Sequence, residues 1–211
     1  MTRRELAAVL AGMPLVTRGA DQRGWKELFD GKTLSGWDGD PRFWKVENGA
    51  IVGSTDEHTA PHNTFLIHKD PVSNFHLIAE VKLRNNNSGI QFRSERRDNW
   101  IVAGYQADFS EAGDRSAWGN FYEERGRGRG VMPTPDLGWQ KGKSLVRPGD
   151  WNEIQVIACG PRIEIKLNGQ TTIQATDDRS ARGVLAIQLH DGKPMQVAVR
   201  RMSIKPLEGS C

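Results

Sequence analysis

From Phe75 onward, apolar and polar positions alternate along the chain. Phe75, Leu77, Ala79, Val81 and Leu83 fall on one face of a segment whose other face carries His76, Ile78, Glu80 and Lys82. That period of two predicts a half-buried strand. Ser88–Ser94 sets Ile90 and Phe92 against Gln91 and Arg93, and Tyr105–Phe109 collects Tyr105, Ala107 and Phe109 on one side. Further strands read at 152–158, 163–167, 171–175, 184–190 and 196–205. Asn48-Gly49 and Asn168-Gly169 stand between β-forming segments, where Asn-Gly favours a two-residue hairpin turn. Ten to twelve strands and no helical period after the first twenty residues predict an all-β fold, two antiparallel sheets packed as a sandwich.

Residues 110–150 break this rhythm. The stretch contains Arg125, Arg127 and Arg129 in an Arg-Gly run, then Pro133, Pro135 and Trp139. A long glycine-rich segment is read as loop, the usual carrier of function. Trp100, Trp118 and Trp139 lie in or beside it, placed either to stack on a sugar ring or to pack the loops. Trp44 and Trp151 sit in strand contexts and read as core.

The formal charge is +3 over 211 residues, and the first twenty contribute +2 of it. A basic stripe for nucleic acid is therefore absent, and the Arg-Gly run is too short to act as an extended strand-binding tail. Residues 1–20, MTRRELAAVLAGMPLVTRGA, join twin arginines to a short apolar run, as in a twin-arginine export signal. The boundaries expected are a signal at 1–20 and one domain at 21–211, with a periplasmic or secreted protein and no stable membrane anchor. Cys159 and Cys211 are the two cysteines. A bridge between them is open, but a buried thiol and a frayed end are the expectation. His58, His62 and His68 gather in one loop without a recognised metal-ligand spacing, and no cofactor is required by the sequence.

The chemistry sits on a face. Opposite the apolar sets of separate strands stand Glu80, Gln91, Arg93, Gln106, Asp108, Gln188 and His190. These groups hydrogen-bond hydroxyls in pairs or exchange protons near neutrality, which suits a polyol ligand; an ordinary wet face with a few salt bridges is the alternative. Glu123 and Glu124 are adjacent, so one of them joins that face, and Glu123 is the choice. Trp118 and Trp139 complete the candidate binding set.

Several short motifs resemble one family. Leu28-Phe-Asp-Gly-Lys-Thr-Leu-Ser-Gly-Trp37, Asn87-Ser-Gly-Ile90 with Phe92-Arg93, Gly104-Tyr-Gln-Ala-Asp108, Tyr122-Glu123 and Gln188-Leu-His-Asp-Gly192 match the 3-keto-disaccharide hydrolase family in order and spacing over residues 25–206. The resemblance implies a jelly-roll sandwich of the concanavalin A-like type, export from bacterial cells and action on glycosides oxidised at C3. It places Glu80, Arg93, Gln106, Asp108, Glu123 and His190 in the family's pocket. Glucanases of this fold carry Glu-x-Asp-x-x-Glu on one strand, and here the comparable strand reads Gln106-Ala-Asp108-Phe-Ser-Glu111. An amide in the nucleophile's place argues against ordinary glycosidase chemistry.

A C3 ketone acidifies the C2 proton, so a base can expel the C1 substituent by elimination, and water can then add to the enone. Asp108 or Glu123 is expected as base and acid, with Arg93 and His190 holding the oxyanion. A divalent ion on His190, Asp108 and Glu123 could replace those donors. The expected partners are a carbohydrate substrate and a separate sugar 3-dehydrogenase acting before it. The alternative is a lectin-like domain that binds sugar without turnover.

Overall fold

A computed structural model describes residues 23–110, 117–128 and 135–208, with 135–139 described in backbone only. The expected signal at 1–20 and Cys211 lie outside the described residues. Fourteen strands are described: β1 (Lys26–Glu27), β2 (Trp37–Asp38), β3 (Trp44–Glu47), β4 (Ala50–Ser54), β5 (Thr64–His68), β6 (Phe75–Arg84), β7 (Asn87–Arg96), β8 (Val102–Ser110), β9 (Asn120–Glu124), β10 (Asn152–Cys159), β11 (Arg162–Leu167), β12 (Gln170–Thr176), β13 (Val184–Leu189) and β14 (Gln196–Pro206). One helix, α1 (Pro135–Leu145), joins β9 to β10.

All described pairings are antiparallel. The larger sheet runs β12-β11-β10-β6-β14-β4-β3, with β1 on β14. The smaller runs β2-β5-β13-β7-β8-β9. The all-β sandwich expected from the alternation is the architecture found. The helix is not: the segment read as pure loop holds β9 and α1. A proline at its first position suits a helix start, but Gly138 and Gly142 weaken the apolar period that would have announced the helix. It packs against β9 and β12.

The two Asn-Gly pairs close hairpins as expected. Both residues of each pair have positive φ, 51° and 73° at Asn48-Gly49 and 49° and 83° at Asn168-Gly169. Those are type I′ turns, whose twist matches the strands they join. Asn85 and Asn86 also take positive φ, 63° and 58°, where the chain crosses from β6 in the larger sheet to β7 in the smaller. Asn86 Nδ2 then donates to the Asp191 carbonyl at 2.8 Å, tying that crossing to the loop after β13.

The core lies between the sheets. Leu77, Ala79 and Val81 of β6, Ile154 and Val156 of β10, and Val197 and Val199 of β14 face Ile90, Phe92, Tyr105, Phe109, Phe121 and Ile187 of the smaller sheet, all nearly or fully buried. Phe92 is central: its ring lies 6.0 Å from Phe121, 5.6 Å from Tyr105 and 6.2 Å from Phe75. Fully burying each large apolar side chain is worth about 1.5–3 kcal/mol, so this layer fixes which face of β7, β8 and β9 turns away from the core. Trp44 is buried as expected, whereas Trp151 is half-buried, with the Arg200 guanidinium 4.1 Å from its ring centroid. Cys159 is disulfide-bonded, which corrects the expectation of a free thiol.

Phe92→Ala should lower the unfolding free energy by about 3–5 kcal/mol, the cost of emptying a large aromatic site. Phe92→Leu should cost clearly less. Urea denaturation with an unchanged slope measures both.

Candidate functional site

Pairing register determines what the smaller sheet presents on its non-core face. Gly89 and Gln91 of β7 stand opposite Asp108 and Gln106 of β8. Gln106, Asp108 and Gly104 stand opposite Tyr122, Asn120 and Glu124 of β9. Directly opposed residues share a face, so Gln91, Gln106, Asp108, Asn120, Tyr122 and Glu124 point to one side. Gln188 of β13 joins them, paired with Phe65. Phe65, Ile67, Val102 and Ala186 form a small apolar patch of buried side chains separate from the main core.

The polar members bond one another in a continuous chain. Gln91 Nε2 donates to Gln106 Oε1 at 2.6 Å, and Gln106 Nε2 donates to Asp108 Oδ1 at 3.0 Å and to Gln188 Oε1 at 3.3 Å. Gln188 Nε2 donates to Glu124 Oε2 at 3.1 Å. Asn87 Nδ2 reaches Asp108 Oδ1 at 3.0 Å, and Asn63 Nδ2 reaches Glu124 Oε1 at 3.2 Å. Gln91, Gln106, Asp108 and Gln188 are each at most 3% exposed. Gly89 makes the layout possible, because a Cβ there would lie 2.4 Å from Gln106 Cγ and Cδ. With hydrogen in its place, Gln106 can lie flat across β7.

The expected shared face therefore gathers Gln91, Gln106, Asp108 and Gln188, and it excludes three expected members. Glu80 belongs to β6 of the other sheet and points outward there, where Arg200 Nε (2.6 Å) and Arg201 Nη1 (3.1 Å) donate to it. Alternation places a residue on a face but does not say which sheet the strand joins. Arg93 has φ of 50° at the register shift between Phe92 and Glu95, and such a bulge resets the alternation. Its guanidinium donates to the carbonyls of Ser73 (2.6 Å) and Gly160 (2.7 Å) and to Asn74 Oδ1 (3.0 Å). It ties loops together rather than facing a ligand.

Glu123 is the third. It pairs with Tyr105 across β8–β9 and so shares the face opposite to Asp108. Arg127 Nε donates to its Oε2, and Arg127 Nη1 donates to Asp177 Oδ2 at 2.6 Å. Glu124 takes the position expected of Glu123, and the trio proposed for a divalent ion is not assembled. Among the described residues, no group of three or more His, Cys, Asp and Glu side chains is arranged to hold a metal. His58 and His62 are exposed or half-buried, and His68 is buried with its ring 4.9 Å from Trp37.

Trp118 is core, 2% exposed and stacked on Phe109 with centroids 5.1 Å apart, so it offers no ring to a sugar. The Trp139 side chain lies outside the described residues. Trp100 donates its indole N–H to Asp38 at 3.0 Å. His190 follows β13 directly and is half-buried. Its Nδ1 lies 2.9 Å from the Asp191 carbonyl. A carbonyl only accepts, so Nδ1 is the donor in this contact, and the Asp191 carboxylate lies 3.2 Å from the same nitrogen. Asp191 N in turn donates to Asn63 Oδ1 at 3.1 Å, which connects this loop to Glu124.

Asn120 and Tyr122 escaped the sequence reading. The signal that reveals them is register, since both sit two residues apart on the strand that carries Glu124. A groove of about 600 Å³ lined by Ile157, Cys159, Arg162, Glu164 and Gln174 opens on the other sheet and holds no comparable polar array.

Behind the polar face, Tyr105 donates its hydroxyl to Asp177 Oδ1 and accepts from Ser180 N at 3.1 Å. Burial first, then the bond to Asp177, pushes the Tyr105 phenol up to about 12. An unfolded tyrosine titrates near 10, so the folded state holds this proton more tightly. The associated stability is present below about pH 10 and is lost as pH rises through about 12. Between pH 9 and pH 11 the wild type should lose about 1 kcal/mol more than Tyr105→Phe, measured by urea denaturation at each pH.

Solved structures that share the fold include the following three. A Parabacteroides distasonis protein with a provisional glycosyl hydrolase assignment is 22% identical, with 88% of this chain and 95% of that one covered at a TM-score of 0.65. The carbohydrate-binding module CBM66 from Bacillus subtilis is 15% identical, with 86% and 95% covered at 0.55. A Bacillus subtilis protein of unknown function with a galectin-like fold is 10% identical, with 82% and 90% covered at 0.57. No curated protein matches the sequence significantly. The model of one family covers residues 24–205, nearly the whole of the sandwich whose non-core polar face has just been described, and the chain belongs to that family, the 3-keto-alpha-glucoside-1,2-lyase-like domain.

Proposed function

We propose that the protein cleaves glycosides carrying a ketone at C3, by elimination across C2 and C1 followed by hydration. The observation that carries this reading is the Gln106 amide at the centre of the polar face, flanked by the carboxylates Asp108 and Glu124. A retaining glycosidase needs a carboxylate nucleophile close to its acid, and an amide cannot serve. Elimination needs only a base beside an acidified C–H and a proton for the leaving oxygen.

In this reading one carboxylate, Asp108 or Glu124, takes the C2 proton and the other, in its protonated form, donates a proton to the departing C1 oxygen. The C2–H electron pair becomes the C1=C2 bond as the C1–O bond breaks. Water then adds its hydroxyl to C1 and its proton to C2. His190 commits its Nδ1–H to the Asp191 carbonyl, which leaves Nε2 as the ring nitrogen available for proton exchange. Arg93 is fully engaged with loop carbonyls, and the developing oxyanion falls to amide donors of the face.

The ketone must come from an enzyme that dehydrogenates the C3 hydroxyl of a glycoside. The twin-arginine segment at residues 1–20 supports action outside the cytoplasm. A second reading, binding without turnover, is favoured by one observation: amide donors already engage both oxygens of Glu124.

Incubation with a 3-keto-glycoside in heavy water tests the proposal. The aglycone should be released and the sugar should carry deuterium at C2, while a glycoside with an ordinary C3 hydroxyl should be inert. Asp108→Asn and Glu124→Gln should each lower turnover by about a hundredfold or more. Thermal unfolding run alongside separates that loss from a change in stability. Binding without release from any keto-glycoside would favour the second reading.

A further inference from the structure

Asn120 is 1% exposed, and neither its Nδ2 nor its Oδ1 has a hydrogen-bond partner. It stands directly opposite Asp108 across β8–β9, on the polar face, while its neighbour Phe121 points into the core. Every other buried amide of that face is paired: Gln91 with Gln106, Gln106 with Asp108, Gln188 with Glu124. An amide held against burial with both functions unused is rare in native proteins and calls for a reason.

Its position supplies one. Opposed residues of an antiparallel pair keep their Cβ atoms about 4.5–5.5 Å apart, so one sugar ring on this face can meet Asp108 and Asn120 together. An amide offers a donor and an acceptor side by side, which matches a carbonyl next to a hydroxyl on a ring.

Resting on the elimination reading, we propose that Asn120 contacts the substrate. Nδ2 donates to the C3 ketone oxygen and Oδ1 accepts from a neighbouring ring hydroxyl. As a base on this face removes the C2 proton, the C2–H electrons delocalise onto that same ketone oxygen. Asn120 thereby supplies the oxyanion donor that Arg93, bound to loop carbonyls, cannot.

Asn120→Leu, nearly isosteric and apolar, tests this, with Asn120→Ala as a second variant that removes the amide without demanding new space. Both should lower kcat/KM for a 3-keto-glycoside by about a hundredfold or more, the scale of one oxyanion donor. Asn120→Leu should leave the thermal midpoint of the free protein unchanged or raise it by about 2–4 °C, because an unpaired buried amide is removed. A midpoint that falls by several degrees while kcat/KM holds would show an amide serving the fold through trapped water, and would overturn the proposal. Wild-type turnover with unchanged kcat/KM in both variants would overturn this inference and leave the elimination reading standing. A wild type inert toward every keto-glycoside overturns both.

Discussion

The structure turns on a chain of amides and carboxylates buried on one face of a six-stranded sheet. Each link leaves a polar group without water, and each unmet group would cost about 1–3 kcal/mol. Gln91, Gln106, Asp108, Gln188 and Glu124 avoid that cost only in one arrangement, because their partners lie on four different strands. A one-residue slip of β8 against β7 would send Gln106 into the Phe92–Phe121 core and Tyr105 onto the polar face. The aromatic layer on one side and the amide chain on the other therefore specify the same register. Gly89 belongs to this constraint, since any side chain there would expel Gln106.

That double specification explains what could be read in the sequence. Alternation from Phe75 to Lys205 marks strands and their core-facing residues because burial of Val, Ile and Phe is local to each strand. The face of Gln91, Gln106, Asp108 and Gln188 follows as the complement. Besides Trp118, which is core, three residues expected on that face were misplaced, each for a non-local reason. Glu80 obeys its strand's alternation, but β6 pairs with β10 and β14 rather than with β7. Arg93 sits at a bulge whose positive φ no residue type announces. Glu123 and Glu124 differ only in phase, and that phase is set by Gly104 pairing with Glu124 across β8–β9. The helix at 135–145 was hidden because its stabilisation comes from packing on β9 and β12 rather than from its own pattern.

The misplaced charges also show how the protein separates structural from chemical duty. Arg93 and Arg127 bind carbonyls or carboxylates at the edges of the sandwich, and Glu123 and Asp177 are held by Arg127. Those groups hold loops 73–74, 160, 177–180 and the turn after β9. Neither Arg93 nor Arg127 is bonded to the polar face, where the amides of Asn87 and Gln106 donate to Asp108 and those of Asn63 and Gln188 donate to Glu124. A carboxylate engaged by amides retains proton affinity that a guanidinium partner would remove.

The same reasoning narrows the chemistry. Neutral donors on a buried face stabilise a charge that appears during reaction without first neutralising the base that generates it. An arginine beside Asp108 would favour the oxyanion but would also lower the basicity of the carboxylate. Amides decouple the two demands. An elimination in which one group takes a proton while another stabilises the oxygen two carbons from the leaving group requires such separation, and direct displacement at C1 does not. The amide at Gln106, the withdrawal of Arg93 and the unpaired amide of Asn120 fit the elimination reading together, on a face where Asn87, Gln106, Asn63 and Gln188 present neutral donors to Asp108 and Glu124.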